Sequence, residues 1–328
     1  MHPVDVAPSS ELKTFFSRPD RIHDKLFVIT PIFNAMRSRK LWSLYQDFRK
    51  RVYEAGATLI TVECAFGDRD FAVTQADDPF DIQVRTRHIL WLKENLIRIG
   101  VSRLPLGWGY VAWCDADMML ARDDWANEVI HQLQDYPILQ IYSQFQDLNA
   151  DCEVNGPLHR SFMSCHLNGG ASPHGVYPYG YGPHGTPGLA WACTREAWDA
   201  LGGIPDTGIL GSGDYYLANA LVGTLDKVLR KDFHPRYRES VLVYQDRAER
   251  YIRRNVGLMK GLALHYFHGA KTKRGYGVRD EILVRNQYRP DLDLKVDAQG
   301  VWQLTDRSHR LKNEIREYFR SRCEADGW

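Results

Sequence analysis

Most features that would place this chain in a specialised class are missing from it. Its 328 residues hold six cysteines (Cys64, Cys114, Cys152, Cys165, Cys193 and Cys323), with no C-x-x-C pair and no metal-finger spacing. That excludes a disulfide scaffold and a zinc ribbon, and at this length it reads as reduced thiols in a cytoplasm. No apolar run approaches the roughly 18 residues a membrane span needs. The opening MHPVDVAPSSELKTFF lacks the basic start and apolar core of a secretion leader. A soluble cytoplasmic protein is expected, with no membrane partner and no obligate protein partner. There is no internal repeat and no low-complexity tract. Charge of one sign is missing too: the formal net charge is +1, which argues against a strongly charged partner overall. What remains is ordinary globular material, 44% hydrophobic and 25% charged, long enough to bury a large core.

Strand and helix patterns alternate through the first 130 residues. KLFVIT (25–30) is a β-branched and aromatic run that predicts a buried strand ending at Pro31. In 38–56, Leu41, Leu44, Tyr45, Phe48 and Val52 recur at helical spacing, and Gly56 stops the helix. ATLITVECAF (57–66) predicts a second strand, TRHILWLKENLIRIG (86–100) a second helix, and GYVAWCDADMML (109–120) a third strand. An Asp-rich helix start follows. Such alternation implies an α/β fold with a mainly parallel sheet flanked by helices. Ligands then sit beyond the carboxyl ends of the strands. From about 150 the texture changes. HLNGGASPHGVYPYGYGPHGTPG (166–188) has no periodicity and predicts a long loop, before apolar structure resumes at LAWACTREAWDALGG. GDYYLANALVG (213–223) predicts a buried helix, GLALHYFHG (261–269) a strand, and SHRLKNEIREYFRSR a charged terminal helix.

Two carboxylates interrupt the apolar stretch YVAWCDADMML. An ionised Asp beside a buried strand costs several kcal/mol unless something compensates it. If the strand continues through Asp117, then Asp115 and Asp117 share one face at its carboxyl end, a place for a divalent cation. Further ligands are on offer at His265 and His268 in ALHYFHGAKTKRGY, followed by Lys271, Lys273 and Arg274 among glycines. A metal, a His ligand and a cation cluster beside flexible backbone together describe a diphosphate site.

With these pieces in hand, the chain resembles glycosyltransferases of the GT-A (Rossmann-like) fold, family 2-like and similar to the β-1,4-galactosyltransferase catalytic domain. The resemblance covers roughly 25–290. It is carried by ITPIFNAMRSRKLW as the opening strand and nucleotide loop, and by WCDADMML as the D-x-D motif. PGLAWACTREAWDALGGIPDTGILGSGDYYLANAL resembles the acceptor-side segment, and HYFHGAKTKRGY the late His motif. One departure is that the usual acidic pair after the glycines is here Ser-Gly-Asp, leaving only Asp214.

The resemblance implies an N-terminal extension (1–24), a catalytic domain (25–290, with nucleotide half 25–125 and acceptor half 150–290) and a C-terminal helical tail (291–328). It implies Mn²⁺ or Mg²⁺ held by Asp117 directly and by His268 or His265, with Asp115 on the ribose or on the metal through water. Pro31, Phe33, Asn34 and Arg37 fall where nucleobase and ribose usually lie. Glu63 and Lys93 are placed to reach the nucleotide, as are Ala116 and the cations Lys271, Lys273 and Arg274. Asp214 is implied as general base of an inverting transfer from a nucleotide-sugar, a UDP-sugar first. Tyr177, Tyr179, Tyr181, Trp191 and Gly213 fall on the acceptor side.

Two acceptor classes fit: a saccharide, or a hydroxymethylated base in DNA as in viral DNA glycosylation. The second rests on Arg236–Arg289, where 13 Lys and Arg face 5 Asp and Glu. A sugar-nucleotide-binding module without catalysis and a metal-dependent nucleotidyltransferase are the other readings.

Overall fold

The computed structural model of the protein describes residues 22–169, 185–269 and 275–322. In chain order the first strands are β1 (Ile22–Ile32), β2 (Thr58–Phe66), β3 (Asp81–Thr86), β4 (Trp108–Cys114) and β5 (Met118–Leu120). They are followed by β6 (Ile138–Gln140), β7 (Gln144–Asp147), β8 (His159–Arg160), β9 (Ala190–Thr194), β10 (Val256–Leu258) and β11 (Leu262–His265). Seven of them form the main sheet in the order β10-β6-β9-β4-β1-β2-β3. Every neighbouring pair in it is parallel except those of β9, which runs against β4 and β6. The fold is thus mixed α/β with a mainly parallel central sheet.

Both faces of this sheet are covered, which is why its strands read as continuous apolar runs. Leu26 and Val28 of β1 pack with Tyr45, Phe48 and Val52 from helix Arg39–Glu54 on one face. Phe27 and Ile29 pack on the other face with Leu96 and Ile97 of helix Lys93–Ser102 and Leu217 of helix Gly213–Leu221. Helix His309–Ser321 is capped by the Ser308 hydroxyl, which accepts from the Leu311 N–H. Leu311, Ile315, Tyr318 and Phe319 form its buried stripe and join the Phe27 side of the core.

A second sheet, β5-β11-β7-β8, does the positioning work at the site. Its register sets His265 beside Met118 of β5 and Asp147 of β7.

Three expectations change. The second helix starts at Lys93 rather than near 86, because Thr86 ends β3, an edge strand paired to β2 that the sequence reading missed. The strand bearing the D-x-D is fourth in the chain, not third, and it stops at Cys114. Past it the backbone turns: the Asp115 N–H donates to Leu189 O, and Asp117 O accepts from the Tyr266 N–H in the second sheet. The two aspartates therefore do not continue one strand face. Of the long loop, residues 170–184 lie outside the described residues, with Tyr177, Tyr179 and Tyr181 among them. Among the described residues no helix is long and apolar enough to cross a membrane, and Cys64, Cys114, Cys152, Cys165 and Cys193 are free thiols.

Candidate active site

A cleft of about 220 Å³ opens where β1 and β4 end, where a parallel sheet is expected to bind ligands. Pro31, Phe33, Asp115, Asp117, Asp214 and His268 all line it.

Asp117, His265 and His268 form a cluster in which one ligand atom from each lies within 4.8 Å of the others. His268 Nε2 is 2.8 Å from Asp117 Oδ2, and His265 Nε2 is 3.9 Å from the same oxygen. The other nitrogen of His265, Nδ1, lies 2.7 Å from Asp147 Oδ1. That contact fixes the ring so that Nε2 faces the cluster, the arrangement that metal-binding histidines ordinarily have. Two imidazoles and a carboxylate converging beside a cleft fit a divalent transition-metal ion. Both histidines take part, where the sequence left the choice open. Asp147 was missed, because only the β7–β11 register brings it to His265. We expect Asp147→Asn to weaken Mn²⁺ binding by about 10- to 100-fold, the usual worth of such a supporting carboxylate. Unchanged affinity in a metal titration would show that His265 needs no such support.

Asp115 stands apart from the cluster. Its carboxylate grips the buried Lys93 ammonium, with Oδ1 at 2.6 Å and Oδ2 at 2.8 Å from Nζ. Burial alone would lower Lys93, but Asp115, Asp214 and Glu94 around it hold it above the usual lysine range. Burial pushes Asp115 up against the pull of Lys93, with Asp117 adding to the rise.

Asp214 lies in the first turn of helix Gly213–Leu221, with Ser212 at the N-cap position. Its Oδ1 accepts from the Tyr215 N–H at 2.8 Å, so it satisfies a helix-start donor without being the cap. Two glycines make its surroundings. A Cβ at 188 would lie 2.5 Å from Asp214 Oδ2, so Gly188 leaves that carboxylate room on the facing wall. At 213 a Cβ would lie 2.3 Å from the carboxyl carbon of Glu94, which fills the space a side chain there would take. Gly213 thus backs the cleft rather than touching an acceptor.

Burial raises Glu94 to about 8, with Lys93 pulling it down and Asp214 pushing it up. A carboxyl whose folded pKa is raised stabilises the fold fully below its unfolded value near 4.5, and that contribution is lost as pH rises through about 8. Glu94→Gln keeps the neutral form. Its stability relative to the native chain should therefore climb between these pH values, by up to about 1.4 kcal/mol per pH unit. Denaturation at pH 5 and pH 8 checks this; a difference that does not vary with pH contradicts it.

The nucleotide-side residues divide. Pro31, Phe33, Asn34, Lys93 and Ala116 line the cleft. The Asn34 amide also closes the turn after β1, donating to Ser38 O and accepting from Ser38 N–H. Arg37 is exposed, sits at a φ of 62° in that turn and is not part of the lining. Glu63 is buried behind, where its carboxylate accepts from the N–H groups of Ala72, Val73 and Thr74 and from the Thr74 hydroxyl. It pins that loop to β2 and does not face a base. Trp191, 1% exposed, sits in the core with Nε1 donating to Pro187 O, so it offers no face for stacking. Lys271, Lys273, Arg274, Tyr179 and Tyr181 lie outside the described residues. Trp91, Ser212, Arg279 and Arg322 also line the cleft and were not anticipated. Ser212 stands in the Ser-Gly-Asp run without a signal of its own, and the other three arrive from segments far apart in the chain.

No family model matches the chain, and no curated protein matches it. Solved structures do. The chain is similar to the catalytic domain of a Drosophila β1,4-galactosyltransferase 7 in complex with xylobiose, at 11% identity over 72% of this chain, with a TM-score of 0.32. It spans 64% of that domain, less than two thirds. It is likewise similar to residues 1–349 of S. aureus TarS (11% identity, 70% of this chain, 73% of that one, TM-score 0.36). A third likeness is to 4-diphosphocytidyl-2C-methyl-D-erythritol synthase from Anaerococcus prevotii (11% identity, 73% and 90%, TM-score 0.32). At these scores the likenesses bear on neither substrate nor mechanism, which rest on the side chains of the cleft.

Proposed function

We propose that the protein is a metal-dependent, inverting glycosyltransferase that moves a sugar from a nucleotide-sugar, a UDP-sugar first among them, to a hydroxyl acceptor. The observation that carries this reading is that one cleft holds both the Asp117–His265–His268 cluster and the separate carboxylate of Asp214.

Asp117, His265 and His268 would hold the ion. Their two imidazoles favour Mn²⁺ over Mg²⁺, which prefers nearly all-oxygen shells. When bound there, the ion supplies Lewis-acid charge to the oxygens of the donor diphosphate. Pro31 and Phe33 offer an apolar rest for the nucleobase, and Asp115, steadied by Lys93, an acceptor for a ribose hydroxyl. Asp214 takes the proton of the acceptor hydroxyl as its oxygen attacks the anomeric carbon. The bond from that carbon to the diphosphate oxygen breaks, and its electron pair leaves with the diphosphate. One displacement of this kind inverts the anomeric centre.

A saccharide acceptor is favoured over DNA. Among the described residues, part of the basic segment that suggested a polyanion is taken up by internal contacts. Arg236, Arg285 and Arg289 pair with Glu239, Glu314 and Asp291. Arg238 and Arg247 donate to backbone carbonyls, and Arg279 is buried at the cleft. Incubation with sugar nucleotides and Mn²⁺ tests the reading. Release of nucleoside diphosphate with sugar transfer supports it, pyrophosphate chemistry would mark a nucleotidyltransferase, and no turnover on any donor a binding module. Transfer to hydroxymethylated duplex DNA alone would reverse the choice of acceptor.

A further inference from the structure

The wall of the cleft that faces Asp214 is the segment 185–189, and all five of its residues line the cleft. It is held in an uncommon shape. Leu189 has a φ of 69° although it carries a side chain, and the Ala190 N–H donates to Gly188 O at 3.0 Å. A bond that spans one central residue at such a φ makes the γ-turn of positive φ, which is rare and strained. Strain of this kind persists only where the surroundings over-determine it. Here they do. Trp191 Nε1 donates to Pro187 O at 2.7 Å, and the Tyr142 hydroxyl lies 2.9 Å from Gly188 O and 3.0 Å from Thr186 O. Gln140 Nε2 donates to the Tyr142 oxygen and to Thr186 O, while its Oε1 accepts from the Met163 N–H. Thr186 O accepts from the Phe162 N–H as well. Gln140, Tyr142 and Trp191 are all buried, so three successive carbonyls of the wall are fixed from inside the protein.

The turn stands between the two halves of the chemistry. Leu189 O accepts from the N–H of Asp115, on the donor side. One residue earlier, a Cβ on Gly188 would lie 2.5 Å from Asp214 Oδ2. A shift of this wall therefore changes the space beside the base and its spacing from the donor side. We propose that Tyr142, with Gln140 and Trp191, is a positioning residue that holds the strained wall where an acceptor hydroxyl, rather than water, sits against Asp214. The inference rests on the reading of the cleft as a glycosyltransferase site and names what sets its acceptor side. With the wall displaced, water attacks the anomeric carbon in place of the acceptor and gives its proton to Asp214. The diphosphate leaves with the electron pair of the broken bond as before.

The test compares the native full chain with Tyr142→Phe, which keeps the ring and removes the hydroxyl. Tyr110→Phe is the control: Tyr110 is also buried, its hydroxyl accepts from Gln134 Nε2 at 2.6 Å, and neither residue lines the cleft. With Mn²⁺ and a sugar nucleotide, each protein is assayed on the best native acceptor from a panel of mono- and disaccharides. Donor hydrolysis is followed alongside, and nucleoside diphosphate is titrated separately. Tyr142→Phe should raise the acceptor KM by about 5- to 30-fold and enlarge the share of donor lost to hydrolysis. Its nucleoside diphosphate affinity should stay within about twofold of native, and Tyr110→Phe should move none of the three. If thermal melting shows Tyr142→Phe unfolded, Trp191→Phe, which removes the donor to Pro187 O, carries the same assays. Unfolding of both overturns the proposal, since the three side chains would then hold only the fold. A native-like KM and hydrolysis share overturn it too, as do equal losses in transfer, hydrolysis and nucleoside diphosphate binding, and these leave the glycosyltransferase reading standing. A native protein that transfers sugar to no saccharide of the panel overturns both.

Discussion

Asp214→Asn is expected to cut sugar transfer by about 10²- to 10⁴-fold while leaving Mn²⁺ and nucleoside diphosphate affinities near native, the usual worth of a general base. The substitution separates two roles that the geometry combines. Oδ1 accepts from the Tyr215 N–H at the helix start, which an Asn side-chain oxygen also does, so the helix should persist. Oδ2 faces Gly188, where nothing but hydrogen stands between the wall and the carboxylate. An amide cannot take the acceptor's proton, so the loss falls on turnover and not on donor binding. Progress curves for transfer, run beside thermal melts, decide the matter. Near-native turnover with a lowered melting temperature would reduce Asp214 to a helix-start residue.

The second large effect is expected at Asp117→Ala, which should depress the rate of nucleoside diphosphate release in saturating Mn²⁺ by roughly a thousandfold, several kcal/mol of lost charge stabilisation. Among the described residues Asp117 is the only carboxylate in the cluster, and His268 Nε2 lies 2.8 Å from it. Without it two imidazoles remain, too few to hold the ion against water. Asp115 does not stand in, because it lies outside the cluster and its carboxylate is held by Lys93. Asp115→Ala should therefore act differently, leaving Lys93 as a buried cation short of its closest counter-charge and destabilising the fold as well as the site. Rates and melting temperatures for the two variants together check this. Retention of near-native release by Asp117→Ala sinks the metal assignment.

How much of this was legible beforehand depends on whether a feature is local. β1 and β2, the helix of 39–54, the buried helix at 213 and the terminal helix are written in short-range periodicity, and they fold close to where the pattern puts them. β3, with its half-exposed DIQVRT, has no such pattern, and the helix expected over 86–100 was drawn across its end. Asp117, His265, His268 and Asp214 were legible because each sits in a compact motif. The turn that separates Asp115 from Asp117 was not, since it depends on Leu189 and Tyr266 offering the backbone partners on either side. Glu63 and Trp191 misled for one reason: a polar or aromatic residue at a strand end looks like a ligand contact, and only the fold reveals that a loop or a core already occupies it. Asp147, Glu94, Arg279 and Arg322 enter through register and helix packing across long stretches of chain, which no window of sequence contains.

The most direct test is a calorimetric titration of nucleoside diphosphate into the full chain, with and without Mn²⁺. If Asp117, His265 and His268 join the cleft to a donor diphosphate through a metal, Mn²⁺ must tighten binding in the native protein and in Asp214→Asn, and must fail to do so in Asp117→Ala. The same affinity with and without Mn²⁺ in the native protein would contradict the metal-dependent reading of this cleft.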